Sequence, residues 1–90
     1  MVEVILPSML ARVTGSTQLS VVANTVSDII KFLLVTYGEE LERKLYDQDG
    51  DWIRFWQIFV NGVNVRFLDY FDTKLDEGDE VALLPVVDGG

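Results

Sequence analysis

The sequence has no cysteine and no histidine. These residue types supply the usual catalytic nucleophile, the commonest general base near neutral pH and the best soft metal ligands. Without them, zinc and redox chemistry are effectively excluded, and a stand-alone enzyme is the weakest hypothesis. We therefore expect the chain to hold no metal and no bound cofactor.

Basic residues and long apolar runs are also scarce. The chain has 7 Lys and Arg residues against 15 Asp and Glu residues, and its formal charge of -8 would repel nucleic-acid phosphates and anionic membranes. No run approaches the roughly 18 to 20 apolar residues of a membrane-spanning helix. The start Met1–Glu3 lacks the basic segment of a secretory signal. We expect a cytoplasmic protein that binds neither nucleic acid nor membranes.

Apolar residues, in contrast, are plentiful: they make up 49% of the 90 residues and recur in short runs. A chain of this length has room for one hydrophobic core but not for two. Pro85, near the end, has no N–H to donate to a strand ladder. We therefore predict a single domain over residues 1–90, in which residues 85–90 form a flexible C-terminal tail.

Five segments have the composition and alternation that are typical of β-strands. A turn around Gly15 is predicted to join the first two in a hairpin. Asn61-Gly62 is a strong tight-turn signal and is predicted to join the third and fourth. The predicted strands are residues 2–6, 18–22, 55–60, 63–67 and 80–84.

Between the second and third strands the apolar spacing changes to that of a helix. Thr25 is its predicted N-cap, with Asp28 in the capping-box position, and Gly38 is its predicted end. A second, short helix is predicted over residues 39–46. The element order indicates an α+β fold of the β-grasp type, a roll with a mixed five-stranded sheet, one main helix and a second short helix on one face.

The C-terminal segment resembles that of a known family. Residues 76–90 run from an acidic turn, through a strand and Pro85, to Gly89-Gly90, as in the small ubiquitin-like sulfur carriers of the MoaD/ThiS family. Ile58–Gly62 is similar to the third strand and turn of these carriers, and the predicted element order agrees over nearly the whole length. The family includes the small subunit of molybdopterin synthase and the thiamine-type and cysteine-type carriers.

The resemblance implies a chemistry at the chain end. An E1-like adenylyltransferase would use ATP to adenylate the carboxylate of Gly90, and sulfur would then replace one oxygen to give a thiocarboxylate. Gly89 and Gly90 lack a Cβ, which suits a slim arm that enters another protein's active site. The sulfur would pass to an accepting enzyme, such as the large subunit of molybdopterin synthase in molybdopterin biosynthesis. The chain would be a carrier and protein co-substrate.

Alternatives to that pathway stay open. Residues 65–67 and Leu84-Pro85-Val86 are similar to the cysteine-type carrier, for which the partner would be a cysteine-synthase-like enzyme. A ubiquitin-like modifier, which forms isopeptide bonds with target lysines, would use the same activated Gly90. An interaction module with an inert tail is a third hypothesis.

Alternation along the fifth strand also predicts a docking surface. It places Val81 and Leu83 toward the core and the residues between them on the opposite, outer face. Ordinary exposed hydrophobes or a dimer contact would give the same pattern. Because related carriers dock through this face, the resemblance favours a partner-binding surface. Its predicted residues are Ile5, Phe59, Ala82, Leu84, Pro85, Val86 and Val87.

Asp47, Asp49 and Asp51 are spaced like the ligands of a calcium loop. The sixth position of such a loop would be Trp52 where glycine is required, and the twelfth would be Ile58 where glutamate is required. An acidic turn is therefore favoured over a metal site.

Overall fold

A computed structural model describes residues 1–86. Within them, five strands form one sheet, in the order β2-β1-β5-β3-β4. β1 and β5 lie parallel to each other and the other neighbouring pairs are antiparallel, so the sheet is mixed as predicted. The strands are β1 Val2–Ile5, β2 Gln18–Val21, β3 Trp56–Val60, β4 Val63–Asn64 and β5 Glu80–Pro85.

Three α-helices accompany this sheet in the described part of the chain: α1 Ser8–Thr14, α2 Val26–Tyr37 and α3 Glu39–Leu45. The capping box predicted for α2 is present. The Thr25 hydroxyl accepts a hydrogen bond from the Asp28 N–H (3.2 Å), and the Asp28 carboxylate accepts one from the Thr25 N–H (3.1 Å). None of these helices is long and apolar enough to cross a bilayer.

Helix α1 was not predicted, because the segment between β1 and β2 was interpreted as the turn of a hairpin. Pro7 ends β1 but also precedes the helix, a position where its missing N–H is tolerated. Leu10 is fully buried, and Gly15 closes the helix at φ 73° with its N–H bonded to the Ala11 carbonyl (2.7 Å). The antiparallel pairing of β1 with β2 is correct, whereas the connection between them is longer than a hairpin turn.

The fourth strand is shorter than the predicted 63–67. After Asn64 the chain turns into a 3-10 turn, Val65–Phe67, and a second follows at Tyr70–Asp72. The side-chain oxygen of Asn64 accepts a hydrogen bond from the Arg66 N–H (3.0 Å) and so caps the first 3-10 turn. This local bond replaces strand pairing, and the chain bends out of the sheet.

The fifth strand is longer than predicted and includes Pro85, which is paired with Trp56. The N–H of Val86 donates to the Phe55 carbonyl (2.6 Å). Alternation along an antiparallel ladder points the nitrogen of Pro85 away from β3, toward the side where β1 has already ended at Ile5. Its missing N–H therefore removes no ladder bond. The prediction that the chain leaves the sheet at Pro85 is wrong, since Pro85 belongs to β5 and Val86 is still bonded to the loop before β3. The remaining predicted tail, 87–90, lies outside the described residues.

The core lies between the sheet and the helices. Val4 and Val81, which are Cα partners in the β1/β5 pair, are 1% and 3% exposed, and Ile29 and Leu33 of α2 are each 1% exposed. Burial of such a side chain contributes about 1.5 to 3 kcal/mol. The inward alternation predicted for β5 is confirmed.

Candidate functional site

The outer face of the sheet carries the predicted docking residues side by side. Ala82 lies opposite Ile5 on one side and opposite Phe59 on the other, and Leu84 follows two residues along β5. Ile5, Phe59 and Ala82 are partly exposed, and Leu84 is 39% exposed. We call these four residues the outer patch. Their placement follows the register, and their role in binding stays a prediction.

One end of this face is acidic. Glu3 pairs with both Ser20 and Glu80, and the Ser20 hydroxyl donates to the Glu3 carboxylate (2.8 Å). Just before β5, Asp79 accepts the Asp76 N–H (2.7 Å) and the side-chain amide of Asn61 (3.0 Å). These two hydrogen bonds, the backbone one foremost, lower the pKa of Asp79 below its ordinary value of 3.8.

The other end carries a chain of side-chain hydrogen bonds that sequence analysis did not find. The Gln57 amide donates to the Arg54 carbonyl (2.8 Å), and the Asn64 amide donates to the Gln57 side-chain oxygen (2.9 Å). Since Asn64 also accepts the Arg66 N–H, the bonds run without a gap from Arg54 to Arg66. We call this series of bonds the amide ladder. Gln57 lies opposite Leu84 and Asn64 opposite Phe59, so the ladder adjoins the outer patch.

Phe55, the residue before β3, extends the apolar surface toward Val86. It is 41% exposed, and its ring packs edge-on against Trp56 at 4.9 Å between centroids. Val86, bonded to its carbonyl, is 39% exposed. Val86 lies on the same side of β5 as Ala82 and Leu84, whereas Pro85 alternates with Val81 and Leu83 and lies opposite the buried Trp56. The binding roles of Pro85 and Val86 stay predictions. Val87, Gly89 and Gly90 lie outside the described residues, and their roles stay predictions.

The aspartates of the 47–51 loop are accounted for by the loop itself. One Asp47 carboxylate oxygen accepts the N–H groups of Asp49 (2.9 Å) and Asp51 (3.0 Å), and the Asp47 N–H donates to the Asp51 carbonyl (2.8 Å). These bonds close an acidic turn, as the sequence favours. Within residues 1–86, no group of His, Cys, Asp and Glu side chains is arranged to hold a metal ion.

The strand order, with helices covering one face and a partly apolar outer face, defines a ubiquitin-like β-grasp domain. The profile of the ThiS family matches residues 4–90, and the chain belongs to the ThiS family.

Three solved structures are similar to it over nearly their whole length. Sulfur carrier protein CysO of Mycobacterium tuberculosis is 34% identical over 91 residues, which cover 99% of this chain and 98% of the relative. Its crystal structure has a TM-score of 0.83, covering 97% and 100% of the two chains. A chain of the BexX/CysO complex of Amycolatopsis orientalis is 27% identical, with a TM-score of 0.82 and full coverage of both chains. Small archaeal modifier protein 1 of Methanosarcina acetivorans is 27% identical, with a TM-score of 0.84 and coverage of 99% and 95%.

Proposed function

We propose that this chain is a sulfur carrier protein whose Gly90 carboxylate is adenylated by an E1-like enzyme and then converted to a thiocarboxylate. The observation that carries the proposal is the likeness to CysO, a sulfur carrier protein, over 99% of the chain. The family match extends to Gly90 itself. A carrier needs no catalytic side chain of its own, which agrees with a chain that lacks both cysteine and histidine.

The CysO relatives favour a pathway of the cysteine type over molybdopterin biosynthesis. The accepting enzyme would then be a cysteine-synthase-like protein. The first expectation, a role as the small subunit of molybdopterin synthase, has less support, because the similar proteins named above are CysO and a small archaeal modifier protein.

The outer patch would be the surface through which the enzymes are bound. Its residues lie on central strands of the sheet, so a docked protein would rest on a rigid platform next to the strand that leads into the chain end. Pro85, Val86 and Val87 would extend the contact. The CysO of Amycolatopsis orientalis, with the same fold, forms a complex with BexX, which supports a partner-bound role for this chain.

A mass spectrum tests the carrier function. The purified chain is incubated with the activating enzyme encoded in the same genome, ATP and a sulfide source. We expect the mass to rise by the difference between one sulfur and one oxygen atom. The control is the chain without Gly89-Gly90, which should keep its mass. An unchanged mass of the full chain, with an enzyme that is active on ATP, would contradict the proposal.

The likeness to small archaeal modifier protein 1 supports a second candidate function, a protein modifier. The same activated Gly90 would then form an isopeptide bond with a lysine. Conjugates in cell extract that resist thiols, and that disappear when Gly89-Gly90 is removed, would assign this role. Their absence, together with the mass gain, would leave sulfur transfer alone.

A further inference from the structure

The two ends of the amide ladder are arginines, and their backbones are held at a fixed spacing. The bonds from the Arg54 carbonyl through Gln57 and Asn64 to the Arg66 N–H are all between 2.8 and 3.0 Å. Both arginine side chains are exposed, while Gln57 and Asn64 are partly buried. The guanidinium of Arg66 also stacks over the Phe67 ring, 4.7 Å from its centroid. This stacking restrains the Arg66 guanidinium, which reduces the entropy lost when that cation engages a ligand.

Both arginines line a cleft of about 390 Å³ between β3, the two 3-10 turns and the loop before β3. In a chain with a formal charge of -8, none of the described residues lining this cleft is acidic. Tyr70, at the rim, is 60% exposed and has a φ of 52°, an unusual conformation for an aromatic residue. The cleft therefore combines positive charge with an aromatic wall.

Charge is distributed unevenly along the strand direction of the sheet. Glu3 and Glu80 occupy the end where β5 begins, and the outer patch lies in the middle. Arg54, in the loop before β3, and Arg66, in the 3-10 turn after β4, belong to segments next to the end where β5 finishes. The carbonyl of Phe55, the residue after Arg54, is the group that bonds Val86. The arginine end is thus the end from which the chain proceeds to Gly90.

Resting on the proposed function, we propose that Arg54 and Arg66 bind carboxylate side chains of the activating enzyme and so set the direction in which the carrier docks. Guanidinium groups bind carboxylates in paired, charge-assisted hydrogen bonds. A partner with an acidic site at this end would be repelled in the reversed orientation, because its carboxylates would then face Glu3 and Glu80. The correct orientation brings the chain end toward the enzyme's nucleotide site.

A protein is favoured over other anions as the occupant for two reasons. The ladder adjoins the outer patch, so the segments that carry the arginines border the surface on which a protein would rest. Nucleic acid carries a continuous negative charge, which the acidic remainder of the chain would repel. A small anion is tested separately below.

The test compares two double charge reversals that change the net charge equally. In R54E/R66E the arginine end is reversed, and in R12E/K31E two exposed cations on α1 and α2 are reversed. Loading of each purified variant by the activating enzyme is followed against carrier concentration. We expect R54E/R66E to raise the KM for the carrier at least about tenfold with kcat unchanged, as for lost charge-assisted contacts, and R12E/K31E to change the KM less than about threefold.

The inference about the arginines would be overturned if the two double variants raised the KM equally, or if R54E/R66E left the KM unchanged. Loading of the wild-type chain in the same assay would still support the carrier function. Melting curves confirm that both variants are folded. The affinity of each chain for the enzyme is also measured without ATP. If the wild type binds but is not loaded, the carrier function fails, and the affinities alone then decide whether the arginines recognise the enzyme.

The same cleft offers a built-in reporter for the small-anion alternative. The chain has two tryptophans, Trp52 and Trp56, and both line the cleft. Titration with inorganic phosphate should leave their fluorescence unchanged. A saturable change that R54E/R66E abolishes would reassign the cleft to a small anion and overturn the proposal.

Discussion

At the scale of single residues, hydrogen-bonded carboxylates shape the acid stability of the molecule. Asp28 caps α2 through the N–H groups of Asn24 and Thr25, and Asp79 closes the turn before β5. Backbone hydrogen bonds are the leading cause that lowers the pKa of each carboxyl. Protonation of Asp28 should therefore weaken the N-terminal cap of α2, and protonation of Asp79 should weaken the turn before β5.

The sign of the pH dependence follows from the lowered pKa. The unfolded chain binds protons at Asp79 near pH 3.8, whereas the folded chain binds them only at lower pH. The stabilisation by Asp79 is therefore complete above pH 3.8 and is lost as pH falls through the folded pKa. We expect Asp79→Asn to flatten the fall in the free energy of unfolding below about pH 4, measured by urea titration. The control is Glu40→Gln, which removes one charge from the exposed side of α3. If it flattened the pH dependence of the free energy of unfolding as much as Asp79→Asn does, the hydrogen bonds of Asp79 would not be the cause.

At the scale of the elements, α1 shows why short helices escape prediction. Its seven residues, Ser8–Thr14, offer only two turns of apolar spacing, and its stability comes from packing. Leu10 is inaccessible to solvent, whereas the neighbouring Met9 is 53% exposed.

These two adjacent side chains make a matched test of the helix. Leu10→Ala should lower the free energy of unfolding by about 2 to 5 kcal/mol, because it leaves a cavity in the core. Met9→Ala should change it by less than about 0.5 kcal/mol. Chemical denaturation measures both values, and a similar cost for the two variants would show that α1 does not pack as described.

The two faces of β5 provide a second matched pair. Leu84→Asp should leave the fold intact and weaken binding of the activating enzyme, because Leu84 lies in the outer patch. Leu83→Asp places a carboxylate in the core, where Leu83 is 3% exposed, and should cost at least about 3 kcal/mol of stability. Circular dichroism and binding assays separate the two effects. Unfolding of the Leu84 variant would show that the faces are reversed.

At the scale of the whole molecule, sequence patterns predict the sheet, the main helix and the faces of β5, since each depends on local periodicity. The amide ladder is different, because Gln57 and Asn64 meet only through the register between β3 and β4. The effect of Pro85 likewise depends on where another strand, β1, ends. The chemistry assigned to Gly90 rests on resemblance, since a terminal glycine carries no side chain that would reveal its role.

The position of β5 in the middle of the sheet has a mechanical consequence. The strand that leads to the C-terminus is bonded along both edges, to β1 on one side and β3 on the other. A partner that pulls on the chain end along the strand axis therefore loads both rows of hydrogen bonds at once. These bonds must break together, whereas the single row that holds an outermost strand has fewer bonds to share the force. The fold therefore resists force applied at the end of the chain that an enzyme would bind.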